Sequence, residues 1–243
     1  MNYNWNWGIF LEPSPDGWGT YLDTLLLGLR WTLATALSAW VLALSLGIVV
    51  GILRTLPSRP LQAIGTAYVE LFRNIPLLVQ LFCWYFVLPE MLPKAAGTWL
   101  KQLPNASFFT AVVAIGIYMS VRVAEQLRSG INALPRGQKN AGLALGLTTA
   151  QTYRHVVLPV AFRIILPPLT SEFLNTIKNT SVALTIGLVE LTARAYAIQE
   201  QSFQFFEAFA AATVIYLIVN LCVTLGMRLL EKKIAIPGYI SGK

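Results

Sequence analysis

From Trp31 to Leu53 the chain carries no charged residue. An α-helix needs ~20 predominantly apolar residues to cross a hydrocarbon layer about 30 Å thick, and this stretch is long enough. A second stretch, Phe206 to Met227, is interrupted only by Glu207 near its start. In lipid every backbone N–H and C=O must pair within the protein, which leaves helices and closed barrels. Both runs are too long and too continuously apolar for the alternating strands of a barrel. The sequence therefore reads as an all-α integral membrane protein. Composition agrees, with 56% hydrophobic and only 12% charged residues among 243, roughly half the ~25% charged share of a soluble domain.

The pattern divides into a polar, aromatic segment over residues 1–21, a membrane domain over 22–230 and a tail over 231–243. About five spans are predicted: Leu22 to Leu53, Ile64 to Leu92, Phe108 to Leu127, Val157 to Thr176 and Phe205 to Leu230. The second contains a polar notch, Glu70-Leu71-Phe72-Arg73-Asn74-Ile75-Pro76, and the fourth contains Pro167-Pro168. Lys178 to Gln201 is too polar for a lipid-facing span and too apolar for a simple loop. It reads as a broken or re-entrant helix, allowed where protein or a cavity surrounds it. Trp5, Trp7 and Trp18 suit the membrane–water interface.

Basic residues set orientation. Arg54 and Arg59 follow the first span. Arg128, Arg136, Lys139, Arg154 and Arg163 lie in or beside the hydrophilic stretch 130–156, and Arg228, Lys232, Lys233 and Lys243 lie near the end. Lys94 and Lys101 alone fall on the other side. The excess predicts an outside N-terminus, with loop 130–156 and the C-terminus in the cytoplasm. In a membrane protein the net charge of +7 reflects this bias rather than nucleic-acid binding. No cleavable signal peptide is expected, because the first 20 residues lack Lys and Arg and contain Glu12 and Asp16. Cys83 and Cys222 read as buried apolar residues, not a disulfide or metal pair. His155 is the only histidine, which argues against histidine-rich metal sites and Ser-His-Asp hydrolysis.

Within loop 130–156, Pro135-Arg136-Gly137 reads as a turn and Gln138 to Leu145 as a short helix with a small-residue face. Gly146 suits its C-terminal stop. Thr148 and Gln151 have capping-box spacing for a second short helix, and Pro159 suits the first turn of the following span. Two short helices of low bulk can enter a partner's groove; the same residues also allow packing on their own bundle or on lipid headgroups.

The stretch resembles the cytoplasmic coupling signature of ABC importer permeases. Gly137-Gln138, Ala141, Gly146 and Leu158-Pro159 fit at matching spacing, while Asn140 replaces the usual acidic residue and Gly142 the second alanine. Three further blocks resemble the polar amino-acid branch: Phe72 to Gln80, Ala124-Glu125 with Arg128 and Gly130-Ile131, and Lys178-Asn179-Thr180-Ser181 with Glu190-Leu191. The resemblance covers about Leu22 to Leu230. It implies the type I ABC importer permease fold, with Gly137, Gln138, Asn140, Ala141, Gly142, Gly146, Leu158 and Pro159 coupling to ATPase subunits. It further implies a bacterial inner-membrane location and three kinds of partner: a second permease, similar or identical, two cytoplasmic ATPases and a periplasmic substrate-binding protein. No cofactor is expected on this chain. It lacks a Gly-x-x-x-x-Gly-Lys-Ser/Thr loop, so ATP is expected to be used by the partner subunits. Alternatives are a secondary carrier or channel for small polar solutes, which would need no ATPase, and a membrane-embedded enzyme.

Charged residues inside spans are costly and usually face a cavity or a partner. The candidates are Arg73, Arg122, Glu125, Lys178, Glu190 and Arg194. Arg122 stands where the amino-acid permease pattern usually has an aromatic residue. Its guanidinium can hold a carboxylate through two hydrogen bonds, which points to glutamate and aspartate as substrates. Glu125, three residues on, offers an alternative structural pairing. Lys178 and Glu190 fall in the region that lines the midplane site of the resembled family, as ligands for a substrate carboxylate and ammonium. A mutual ion pair or helix capping is the competing role. Arg73 is a further substrate candidate, or with Asn74 repairs the break at Pro76.

Overall fold

The computed structural model describes residues 3–17 and 19–234. Trp18, Lys243 and the rest of the tail beyond residue 234 lie outside the described residues, as do the side chains of Arg136 and Lys139. Among the described residues eleven α-helices follow one another: α1 Tyr21–Leu53, α2 Arg59–Arg73, α3 Leu77–Phe82, α4 Leu88–Met91, α5 Lys94–Gln102, α6 Ala106–Asn132, α7 Arg136–Ala144, α8 Thr149–Thr152, α9 Leu158–Asn179, α10 Leu191–Ser202 and α11 Phe205–Ile234. Short 3₁₀ turns cover Trp7–Leu11 and Thr180–Ile186. Among the described residues four helical stretches are long and apolar enough to cross a membrane, and a fifth crossing forms if the bent pair Arg59–Arg73 and Leu77–Met91 is one span.

Two spans differ from the sequence reading. Helix α2 stops at Arg73 and α3 starts after Pro76, so the predicted second span is divided into separate helices. The side chain of Asn74 takes the carbonyl of Glu70 at 2.6 Å, satisfying a group that the helix end leaves open. The helical stretch that carries the fourth crossing is longer than the predicted span, running from Thr149 to Ile186. Pro159 does not open this span. A π-helical turn, Tyr153–Val157, joins α8 to α9, with the amide of Leu158 bonding the carbonyl of Tyr153. The wider turn passes the missing N–H of Pro159 without ending the helix. The same arrangement recurs at Cys83–Val87 before Leu88-Pro89, where the Leu88 amide bonds Cys83. Pro167 and Pro168 likewise lie inside α9. The expected interruption after Lys178 is present: a 3₁₀ turn ends at Gly187, whose φ of +82° is the left-handed region that glycine adopts freely.

The chain divides into two compact units. The first comprises Met1–Trp40, Pro76–Gly116 and Asn175–Cys222. Its core gathers Tyr21 and Leu25 against Leu191, Ala195, Ile198 and Ala208. Glu207, the one charge in the last apolar run, is fully buried. It accepts hydrogen bonds from the Tyr3 hydroxyl and, at 2.8 Å, from the Asn6 amide, so it holds the N-terminal segment in place. Arg194 pairs with Asp16 at 3.0 Å. Trp5 and Trp7 are stacked and more than half exposed. Cys83 and Cys222 are free thiols and exposed, not buried as the sequence suggested; lipid-facing helices carry apolar groups outward.

The second unit comprises Val41–Ile75, Ile117–Leu174 and Val223–Lys243. Here Gly47 and Gly51 bring α1 against α6. A Cβ on Gly47 would stand 2.5 Å from the Val123 Cβ, and one on Gly51 would stand 3.0 Å from the Leu127 Cβ. Small residues four apart let helices approach closely where lipid gives no hydrophobic drive. Val50, Val69, Val121 and Ala124 pack beside this contact.

Candidate functional site

The second unit brings two of the predicted site residues together. Arg73, at the end of α2, and Arg122, on α6, line one pocket of about 270 Å³ with Tyr118 and Val121. Arg122 donates to the Tyr118 hydroxyl at 3.3 Å. Its guanidinium carbon sits 5.5 Å from the centre of the same ring, within range of a cation–π contact. The carboxylate of Glu172 is 4.0 Å away. Arg122 thus has one weak hydrogen bond and one distant counter-charge, and its side chain is 48% exposed. Arg73 pairs with Glu70 at 3.2 Å, also on the exposed side. Tyr118 escaped the sequence reading, although its position one turn before Arg122 is the signal that could have found it.

The alternative pairing of Arg122 with Glu125 does not form. Glu125 is held by Arg54 at 2.6 Å and by Arg128 at 3.1 Å. The Arg54 side chain is only 8% exposed, so its charge demands a close counter-ion. That tertiary demand outweighs the local three-residue spacing. The neighbouring carbonyl, Thr55, accepts the Tyr153 hydroxyl at 2.6 Å. A chain of direct contacts thus runs from the turn after α8, through the end of α1, to the stretch of α6 that carries Arg122.

Lys178 and Glu190 belong to the first unit. Lys178 is exposed in the last turn of α9, where a cation complements the helix dipole. Glu190 is fully buried. One of its oxygens caps α10 through the Ala193 amide at 2.8 Å. The other accepts from the Tyr216 hydroxyl at 2.9 Å and Thr32 at 3.3 Å. Between the two structural roles open to Glu190, capping and an ion pair with Lys178, the geometry is that of capping.

The loop between α6 and α9 has the predicted stop and cap, but the expected turn at Pro135-Arg136-Gly137 is not there: Pro135, whose fixed φ suits a helix start, is the N-cap, and α7 already begins at Arg136. Gly146 is left-handed, with φ of +82°. The amide of Leu147 returns to the Gly142 carbonyl, and that of Gly146 to Leu143, a Schellman ending for α7. Thr148 and Gln151 form the reciprocal capping box of α8. Gly142 is buried against α8, and a Cβ there would meet the Thr152 methyl at 2.9 Å. Glycine in place of the family's alanine makes room for Thr152. Asn140, Ala141, Leu143 and Leu145 are exposed, Leu145 by 83%.

The model of the family described as binding-protein-dependent transport system inner membrane component matches residues 43–236. This chain belongs to that family. It is 48% identical, over the full length of both chains, to the glutamate/aspartate import permease GltJ of Escherichia coli K12. It is 34% identical to the probable glutamine ABC transporter permease GlnM of Bacillus subtilis, over 90% of this chain and 95% of that one. Among solved structures, an amino acid ABC transporter crystallised with histidines superposes with a TM-score of 0.75 at 30% identity, covering 88% of this chain and 95% of its own. The MetNI methionine transporter shares the fold at 17% identity, with a TM-score of 0.67 over 89% and 96%. The protein is therefore a multi-pass inner-membrane permease with the type I importer fold. It is a translocation subunit, and ATP hydrolysis belongs to separate subunits. The secondary carrier, channel and enzyme alternatives are set aside by this membership.

Proposed function

We propose that this permease forms part of an ATP-driven importer of acidic amino acids, glutamate and aspartate. The observation that carries the reading is the pocket in which Arg73 and Arg122 converge. An acidic amino acid carries two carboxylates, and guanidinium groups hold carboxylates through paired, charge-assisted hydrogen bonds. Tyr118 orients the Arg122 fork from below, and Glu70 and Glu172 supply negative charge near the two arginines for the substrate ammonium. The similarity to GltJ over the whole chain supports the same substrate class. Lys178, in the first unit, is proposed as a carboxylate ligand separately from this pocket, while Glu190 maintains the start of α10.

In this reading the chain pairs with a second permease and two cytoplasmic ATPases, and a binding protein delivers substrate from outside. No cofactor is bound by this chain. The N-terminus lies outside and the C-terminus in the cytoplasm. The exposed face of α7 docks the ATPase, with Gly137, Gln138, Asn140, Ala141, Gly142 and Gly146 shaping it and Leu158-Pro159 joining it to the span. The Tyr153–Thr55 and Arg54–Glu125 contacts pass its displacement on to α6. The test is substitution of Arg122 by tyrosine in the assembled transporter, with uptake of aspartate measured against that of a neutral amino acid. Aspartate uptake should fall about tenfold or more relative to the neutral substrate, the loss of about one charge-assisted interaction. Unchanged selectivity overturns the assignment of Arg122.

A further inference from the structure

Outside the pocket of the two arginines, the first unit contains a second concavity of about 300 Å³. The aromatic residues Trp84 and Phe86, with Leu88, form part of its wall. Ala106, Phe109, Thr110 and Val113 of α6 also line it. Their spacing of three, four and seven residues marks a single helix face. At 1.5 Å per residue that face is about 10 Å long. Glu90 and Lys101, paired at 2.5 Å, line the same cavity, and their side chains are 70% and 50% exposed. Trp99, on the same short helix as Lys101, is 60% exposed, as suits a helix lying at headgroup level.

We propose that this cavity is a binding site for one zwitterionic phospholipid. The occupant must match an apolar trough, running along a membrane-spanning helix, and one charge of each sign beside it. A zwitterionic lipid meets both requirements. Its phosphate accepts from Lys101, its ammonium donates to Glu90, and the first part of one acyl chain lies along α6. The ion pair between Lys101 and Glu90 is exposed, so opening it costs little, and each partner gains a replacement counter-charge. A free amino acid would leave the aromatic wall unused. An anionic lipid satisfies Lys101 but places no cation on Glu90.

The test uses the complete transporter, purified in detergent, with retained phospholipid identified and counted by mass spectrometry. Competing probes are vesicles of phosphatidylethanolamine or of phosphatidylglycerol. The wild type should keep about one phosphatidylethanolamine per chain in preference to phosphatidylglycerol. Glu90→Ala should reduce that preference about fivefold, and Lys101→Ala should weaken retention of both headgroups by about the same factor, the loss of one exposed charge pair. Val113→Trp, which fills the trough, should abolish retention; ATPase activity in the same preparation reports whether this variant still assembles. Should Val113→Trp fail to assemble, the two alanine variants decide the question alone. Equal retention of both headgroups, or retention unchanged in the alanine variants, overturns the proposal. A cysteine placed at Phe109 that cross-links to the second permease would also overturn it, by showing that a protein surface fills the cavity.

Discussion

Replacing Glu125 with leucine should destabilise the permease by about 3 kcal/mol. The magnitude follows from the geometry of its partner. Arg54 is 8% exposed and stands 2.6 Å from the Glu125 carboxylate. Removing one member of a buried ion pair costs ~3–5 kcal/mol, because the other charge stays behind without compensation. Glu125 itself is 30% exposed, so water reaches the gap and the lower figure applies. The contact with Arg128, whose side chain is 39% exposed, adds no more than about 1 kcal/mol. The double variant Arg54→Leu/Glu125→Leu removes the stranded charge and should recover ~2 kcal/mol of the loss. Unfolding by sodium dodecyl sulfate in mixed micelles, followed through tryptophan fluorescence, measures all three variants. A coupling energy below ~0.5 kcal/mol, the level at which independent sites simply add, would refute the reasoning. Uptake adds a second reading: in the single variant, ATP hydrolysis should continue while transport per ATP falls.

Two further changes probe the coupling loop. Thr148→Ala removes the capping box of α8 and should cost about 1 kcal/mol; hydrogen exchange of the α8 amides should quicken about fivefold, and unchanged exchange would count against the cap. Gly142→Val drives a side chain into Thr152 and should cost ~1–3 kcal/mol through overpacking, with weaker ATPase binding. Thr152→Ser added to that variant should restore part of both, and a lack of any recovery would mean that the α7–α8 contact is not what limits docking.

Local chemistry was the most legible part of this sequence. The Gly146 stop and the Thr148–Gln151 cap depend on residues within a few positions of one another, and both are present. The apolar runs located the crossings because the lipid requirement is so strict. Interactions that join distant segments were not legible. Nothing in the spacing around Glu125 discloses that Arg54 claims it. Glu190 could be listed as a possible cap, but glutamate falls outside the usual capping set, and its bonds to Thr32 and Tyr216 come from other helices. Pro159 misled because proline favours helix starts, whereas here a π turn carries the helix past it. In the candidate site, Arg122 stood out by residue type, but only the fold shows that Arg73 and Tyr118 share its pocket.

The two π turns have a consequence for how such helices meet their surroundings. A residue advances the azimuth of an α-helix by about 100°. A wide turn holding one extra residue therefore offsets everything after it by about that angle. From Thr149 into α9 the chain is helical without a break, yet the part before Val157 and the part after it follow separate phases. The loop end can present its outward face to one environment while the span presents its packing face to another, and neither pattern constrains the other. A periodicity measured across residue 157 averages two phases and understates both.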